Sequence, residues 1–220
     1  MPNRPLSRSV EDYLKAIYAL NQRGGPALTN ALAEALDVQP ASVTGMVKRL
    51  AEGGWVEHEP YRGVRLTDLG TRAALKVVRR HRIIETYLTR VLNYSWDHVH
   101  DEAERLEHAA SDELIERMAQ ALENPLYDPH GAPIPSRTGE IEPVARDTLA
   151  DVGAGTEGTV REVHDDDGAQ LRRLQSVGLL PGARFTVRSR DGDGCLDIEV
   201  DEAVHTVCAD LAQHVFVTVA

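Results

Sequence analysis

The chain has 220 residues, of which 42% are hydrophobic, and a formal net charge of −11. This length allows two or three small domains with substantial cores. The N-terminal segment lacks the apolar region of a signal peptide, and no stretch approaches the roughly 18 apolar residues of a membrane span, so we expect a cytoplasmic protein without membrane association. Residues 1–66 hold 8 Lys and Arg against 7 Asp and Glu, whereas residues 141–220 hold 7 against 15. The N-terminal third is therefore still suited to facing phosphate.

Three helices and a β-hairpin are predicted in this N-terminal third. The helices cover residues 9–20, 29–36 and 40–52, and the hairpin is formed by WVEHEP and VRLT around Tyr61-Arg62-Gly63. The helices show apolar residues at spacings of three and four. Ser9 and Thr29 are suited to N-capping, and Pro40 to a first helical turn. Helix, short turn, helix and hairpin in this order are typical of a winged helix-turn-helix.

The third helix, PASVTGMVKRL, is the candidate recognition helix. Small residues near its start would let the backbone approach base edges, and Lys48 would neutralise phosphate. Arg62 at the tip of the hairpin would point toward a flanking groove or phosphate. The predicted DNA-contacting residues are Gln39, Ala41, Ser42, Thr44, Gly45, Lys48 and Arg62. The alternative is an ordinary helical pair with a solvated polar face.

Helices are also predicted over residues 68–92 and 97–110, and a further helix is capped by Ser111 and ends near Leu122. The prolines of residues 124–143 indicate loop and linker. From Thr148 onward, short β-like runs between turns predict a small β-barrel of about 70 residues. Cys195 and Cys208 form neither a CxxC motif nor a disulfide framework.

The stretch HDEAERLEH, residues 100–108, is a candidate metal-binding segment. Glu104, Glu107 and His108 would share one helix face, because positions i, i+3 and i+4 are neighbours. A solvated face would usually interleave Lys or Arg with these acids. A bound divalent cation would instead relieve the repulsion between the carboxylates, using two oxygen donors and one nitrogen donor.

Two earlier helices carry similar groups. His81 and Glu85 form an i, i+4 pair in RRHRIIE, and Asp12 lies on the first helix. Taken singly, the pair fits a surface ion pair, and Asp12 fits a helix N-terminal charge. Together with the 100–108 stretch they favour a metal site. Since the donors are oxygen and nitrogen only, Mn²⁺ and Fe²⁺ are better candidates than Cu⁺ or structural Zn²⁺.

The joint pattern resembles the diphtheria toxin repressor and manganese transport regulator family of metal-dependent transcriptional repressors, over almost the whole chain. The matching motifs are SVEDYLKAIYAL, PASVTGMVKRL with YRGVRLT, RRHRIIETYL, HDEAERLEH and DPHGAPIP. RRLQSVGLLPGARFTV resembles the FeoA-like small β-barrel of longer members. The resemblance implies a mainly α protein with a C-terminal β domain. Its domains would be a winged helix-turn-helix (1–72), a helical metal-binding and dimerisation domain (73–143) and the barrel (144–220).

The resemblance also implies metal ligands. The primary site would use Asp12, Glu104, Glu107 and His108, and an ancillary site His81, Glu85 and His100 with Glu162 and Asp165. Glu104 stands where iron-responsive members have Cys, and Asp12 where they have Met, so both match the manganese-responsive pattern. The chain departs from that pattern at Lys15, where manganese-responsive members place the Glu of a binuclear site.

The expected function is therefore manganese-dependent repression of metal-uptake genes, with Mn²⁺ or else Fe²⁺ as corepressor. The metal-loaded homodimer would bind a palindromic double-stranded operator. The alternatives are an iron-dependent regulator of the same family, a winged-helix sensor of an organic ligand, and a metal hydrolase with Glu107 as base. No HExxH, nucleophile elbow or phosphate loop supports an enzyme.

Overall fold

The structure is a computed structural model that describes residues 6–22, 24–59, 62–142, 147–164 and 167–219. The predicted ligand Asp165, the hairpin residue Tyr61 and the predicted domain boundary at 143–144 lie outside these residues. The chain forms two compact units. The first comprises Met1–His81, Glu107–Ala110 and Pro135–Ile141, and the second Arg82–Leu106, Ser111–Ile134 and Glu142–Ala220. Among the described residues, no helix is both long and apolar enough to span a membrane.

The elements follow the predicted order closely. The helices are α1 (Arg8–Gln22), α2 (Thr29–Ala35), α3 (Pro40–Glu52), α4 (Asp68–Leu92), α5 (Val99–Leu106), α6 (Asp112–Ala121), α7 (Gly168–Ser176) and α8 (Ala209–Ala212). The strands are β1 (Val56–Glu59), β2 (Gly63–Leu66), β3 (Glu157–Val163), β4 (Arg184–Arg190), β5 (Leu196–Val200), β6 (Ala203–Val207) and β7 (Val215–Val219). The predicted fold class, mainly α with a C-terminal β domain, is confirmed.

The first unit contains a helix-turn-helix with an antiparallel wing formed by β1 and β2. Leu14 and Ile17 of α1 are fully buried in one core with Leu32 of α2 and with Val43 and Leu50 of α3. Removing such side chains from water is the main favourable contribution to folding. The core therefore connects α1 through α2 to α3, the candidate recognition helix.

Three local predictions in the helices are wrong. Ser9 does not cap α1 but is its second residue. Thr29 does not cap α2 but is its first residue, and Leu28 at the N-cap provides no side-chain hydrogen bond. Helix α5 ends at Leu106 instead of reaching residue 110, and turns follow it. Glu107 and His108 consequently do not share a helix with Glu104. The predicted cap at Ser111 does form, since its hydroxyl accepts from the backbone nitrogen of Leu114 at 3.2 Å.

The second unit carries a five-stranded antiparallel sheet in the order β6-β5-β4-β3-β7. Alternate strand residues, among them Val160, Phe185 and Ile198, are buried in one core together with Leu171 and Leu174 of α7. Contrary to the sequence prediction, the two cysteines form a disulfide. The reason is the register of β5 and β6, which pairs Leu196 with Val207 and so brings Cys195 and Cys208 opposite each other.

A tight loop joins the helical part of the second unit to its sheet. The nitrogen of Val163 on β3 donates to the carbonyl oxygen of His130 at 2.9 Å. Gly131 follows with a φ of +85°, and a Cβ there would collide with the carbonyl oxygen of Arg161. The loop therefore requires glycine for two reasons, backbone conformation and close approach.

These two reasons can be separated experimentally. Gly155→Ala introduces only left-handed strain, because Gly155 has a φ of +83° and open space around it. It should lower the free energy of unfolding by about 1 kcal/mol. Gly131→Ala adds the collision with Arg161 and should cost about 3 kcal/mol. Urea denaturation measures both free energies of unfolding. Equal losses in the two variants would show that the loop at Gly131 accommodates the added methyl group without a steric penalty.

Candidate metal centre and nucleic-acid interface

Three potential metal ligands converge in the first unit. Asp12 comes from α1, and Glu107 and His108 come from the turn after α5. His108 Nε2 lies 2.7 Å from Asp12 Oδ1 and 3.2 Å from Glu107 Oε1. The side chain of Glu107 is fully buried and that of His108 is 7% exposed. We call Asp12, Glu107 and His108 the primary cluster.

The proton on His108 can be placed from its neighbours. Its Nδ1 lies 2.7 Å from Glu11 Oε2, and Glu11 is held by Arg80 Nη1 at 3.0 Å. A carboxylate only accepts hydrogen bonds, so Nδ1 carries a proton and donates it. Nε2 lies between the oxygens of Asp12 and Glu107, and it is buried without a hydrogen bond of acceptable geometry among the described residues. It is therefore the ring nitrogen that a metal ion between these carboxylates would bind.

Two carboxylates and an imidazole that face one another can hold a cation between them. The two carboxylate oxygens and the imidazole nitrogen form a donor set that first-row divalent ions accept. Glu11 orients the imidazole by accepting the hydrogen bond from Nδ1. A metal-binding histidine commonly has a carboxylate partner of this kind. The cluster therefore fits a divalent metal ion.

Glu107 also has two partners outside the primary cluster. Its Oε2 lies 2.6 Å from His81 Nδ1 and 2.8 Å from Lys15 Nζ. Burial raises the pKa of Glu107, but the hydrogen bond with His81 and the positive charge of Lys15 outweigh it and lower the pKa below its ordinary value of 4.5. The ligand is thus kept ionised in a buried position.

A second group of donors lies in the second unit. Glu85 of α4, Asp128 and His130 are all buried, and their ligand atoms lie within 4.8 Å of one another. His100 Nδ1 is 3.4 Å from Glu85 Oε1. Arg82 already supplies a positive charge, because its Nε lies 3.4 Å from Asp128 Oδ2. We call Glu85, Asp128 and His130 the second cluster.

The sequence reasoning had named Glu85 and His100 but had missed Asp128 and His130. The available signal was the spacing acid-x-His immediately before a glycine in DPHG. The prolines of this segment indicate a linker, and neither they nor the DPHGAPIP motif assigns a ligand role to Asp128 or His130. Asp128 Oδ1 accepts from the backbone nitrogens of His130 and Ala132, at 2.8 and 2.9 Å, and so shapes this loop.

The remaining predicted ligands lie as follows. His81 belongs to the first unit, beside Glu107. Glu104 belongs to the second unit, on α5, with its Oε1 at 3.9 Å from His100 Nε2. Glu162 lies on β3 and is half-buried, and its partner in register is Phe216 of β7. The roles of these three as ligands stay predictions.

The face of α3 opposite the core is available to a partner. The predicted DNA-contacting residues of this helix region, Gln39, Ala41, Ser42, Thr44, Gly45 and Lys48, are all exposed. The Thr44 hydroxyl donates to the carbonyl oxygen of Pro40 at 3.1 Å, which leaves its lone pairs facing outward. Arg62 on the wing is exposed and lies 3.2 Å from Glu59.

Comparison with known proteins places these features in one family. Residues 5–64 match the iron dependent repressor N-terminal DNA binding domain, and residues 67–136 the iron dependent repressor metal binding and dimerisation domain. Residues 148–219 match the FeoA domain. The iron-dependent repressor IdeR of Mycobacterium tuberculosis is 34% identical over 84% of this chain and 86% of its own length. The chain belongs to the diphtheria toxin repressor family of metal-dependent transcriptional repressors.

Solved structures agree with this membership. One, a manganese-dependent transcriptional repressor in complex with manganese, has a TM-score of 0.91 and 37% identity, covering 96% of this chain and 100% of its own. The manganese regulator SloR has a TM-score of 0.81 and 32% identity, covering 96% of this chain and 98% of its own. The family consists of DNA-binding repressors, so neither the hydrolase nor the organic-ligand sensor describes this member.

The geometry of the primary cluster yields a test. His108→Ala removes the nitrogen donor and should weaken Mn²⁺ binding by roughly a hundredfold or more. His58→Ala is the matched control, because His58 is an exposed histidine on β1. Isothermal titration calorimetry gives the affinities, and thermal melting of the metal-free proteins checks folding. Wild-type affinity in a folded His108→Ala protein would show that the primary cluster is not a metal site.

Proposed function

We propose that this protein is a manganese-dependent repressor of metal-uptake genes that binds a palindromic operator as a metal-loaded homodimer. The observation that carries the proposal is the buried Nε2 of His108, which lies 2.7 Å from Asp12 Oδ1 and 3.2 Å from Glu107 Oε1 without a hydrogen bond of acceptable geometry among the described residues. Such a site is completed by a divalent ion, and the ion acts as corepressor.

The donor chemistry favours manganese. The primary cluster offers oxygen and nitrogen atoms. Both cysteines form a disulfide with each other in the β domain, so neither is a thiolate donor. Hard, anionic oxygen donors suit Mn²⁺, whereas thiolates shift preference toward later metals. We further propose that Glu104 of α5 adds a third carboxylate to this site. Fe²⁺ is the second candidate, since it also accepts such donors and a relative named as iron-dependent is 34% identical.

Helix α1 provides the link from metal to DNA. Asp12 belongs to the primary cluster, while Leu14 and Ile17 of the same helix lie in one hydrophobic core with Val43 and Leu50 of the recognition helix. Restraining Asp12 against Glu107 and His108 therefore restrains α3 as well. The ion shifts the population toward the DNA-competent arrangement only to the extent that it binds that arrangement more tightly.

A second copy of the chain completes the operator-binding species. The helical part of the second unit exposes large apolar side chains, namely Val91, Leu92, Tyr94, Leu114, Leu126 and Tyr127. Leu126 is 74% exposed, which is costly for an isolated chain. All six lie within residues 67–136, which match the metal binding and dimerisation domain. A two-fold dimer would present its recognition helices to half-sites about one helical turn of DNA apart.

The direct test is a gel-shift titration of promoter DNA across a metal series. After chelation, Mn²⁺ should restore DNA binding fully, whereas Zn²⁺ and Co²⁺, which the general affinity series favours over Mn²⁺, should restore it less completely, because geometry and not affinity has to select manganese. His108→Ala should not respond to any of them. Activation by Fe²⁺ at lower concentration than Mn²⁺ would make the protein an iron regulator, and tight binding in chelator would remove the corepressor role.

Gly45 provides a test of the DNA surface. It lies in the middle of α3, and a Cβ there would meet no atom of the described chain within 4 Å. Glycine in a helix costs about 0.5–1 kcal/mol relative to alanine, so Gly45→Ala should raise the free energy of unfolding by that amount. No contact among the described residues explains the glycine, whereas close approach of DNA would.

Gly45→Ala should accordingly weaken operator binding by roughly tenfold, the equivalent of a mild steric clash. Gly192→Ala is the control, since Gly192 lies in open space in the β domain. Fluorescence anisotropy with saturating Mn²⁺ measures the affinity. A more stable Gly45→Ala protein with unchanged affinity would move the DNA surface away from this face of α3.

A further inference from the structure

The ammonium group of Lys15 contacts a carboxylate of the primary cluster, where a second metal ion could otherwise lie. Lys15 follows Asp12 by three residues on α1, so both side chains leave the same face of the helix. Lys15 Nζ lies 2.8 Å from Glu107 Oε2 and 3.1 Å from Oε1. It also lies 3.1 Å from His81 Nδ1, and its side chain is only 20% exposed. Both carboxylate oxygens of a primary-cluster ligand thus face an ammonium group.

This arrangement makes Glu107 a shared anion. On one side its Oε1 faces His108 Nε2 at 3.2 Å within the primary cluster. On the other side it is bonded to Lys15, a cation that is covalently tethered to the protein. A divalent ion that uses Glu107 must share the carboxylate with this ammonium, and two positive charges on one buried anion repel each other.

The same contact stabilises the metal-free protein. A buried carboxylate without a compensating charge is strongly destabilising. The Lys15 ammonium compensates Glu107 before any ion arrives, so the site does not depend on metal for its folding. The lysine therefore favours the metal-free state and opposes the metal-bound state through one interaction.

We propose that Lys15 is an internal cation that competes with the metal for Glu107 and thereby sets the divalent-ion concentration at which the primary cluster fills. This rests on the proposed function only in taking Asp12, Glu107 and His108 as ligands of a divalent ion. It assigns Lys15 a role in the metal threshold, which differs from that of an ordinary structural ion pair.

Two substitutions remove the charge with different side chains. Lys15→Met keeps the length and the apolar stem, and Lys15→Gln keeps hydrogen-bond donors. Lys15→Arg keeps the charge. Lys76→Gln is the matched control, because it removes a positive charge from an exposed position of α4 in the same unit. Each protein is titrated with Mn²⁺ by calorimetry, and its melting temperature is measured with chelator and with saturating Mn²⁺.

Lys15→Met and Lys15→Gln should bind Mn²⁺ roughly tenfold more tightly or better, because the ion no longer shares Glu107 with a positive charge. Their melting temperatures should fall in chelator and rise more on adding Mn²⁺ than that of wild type. Lys15→Arg and Lys76→Gln should stay within about twofold of wild-type affinity, a difference too small to reflect a lost charge on the ligand.

The outcomes separate the two proposals. Absence of Mn²⁺ binding by the wild-type protein would overturn the proposed function itself. Wild-type binding together with unchanged or weaker affinity in Lys15→Met and Lys15→Gln would overturn the role of Lys15 and leave the metal site in place. Introducing Lys15→Met into His108→Ala locates the effect. A gain in affinity that persists there would arise outside the primary cluster and would also contradict the inference.

Discussion

The burial of the Glu107 carboxylate is the constraint around which the first unit is arranged. The side chain is completely buried, and a buried anion requires compensating charge and hydrogen bonds. Lys15, His81 and His108 all contact it. Because Lys15 comes from α1 and His81 from α4, compensating this one charge draws together the N-terminal helix, the long helix and the turn after α5.

Helix α1 contacts the buried carboxylate with one face and the hydrophobic core of the DNA-binding domain with the other. Residues Asp12 and Lys15 face the buried anion, while Leu14 and Ile17 lie in the core that holds the recognition helix. Close-packed interiors transmit displacement because they contain little free volume. In the proposed mechanism, an ion bound between Asp12, Glu107 and His108 would therefore act on the surface of α3 through this shared core.

Periodicity was sufficient to predict most of the fold. The 3-4 pattern located α3 and α4 at their observed bounds, and the short β-like runs between turns located the β domain as a whole. The geometry of the metal site was harder to predict from the sequence. A helical reading placed Glu104, Glu107 and His108 on one element, but α5 ends at Leu106, and helix ends depend on tertiary contacts more than on propensity. The cysteine pair and the second cluster likewise depend on strand register and on a loop that positions Asp128 and His130.

The presence of Lys15 would reduce the free energy that a metal ion gains on binding the primary cluster. If the primary cluster were a bare group of anions, an ion would gain the full relief of their repulsion, and binding would be tight but coupled to folding. With the ammonium in place, Glu107 is already compensated, and the ion gains only the difference between the two arrangements. A sensor needs that difference to be small, because a site that is filled at every concentration reports nothing. On this argument the lysine is the residue that makes the cluster responsive, and the carboxylates and imidazole are what make it selective.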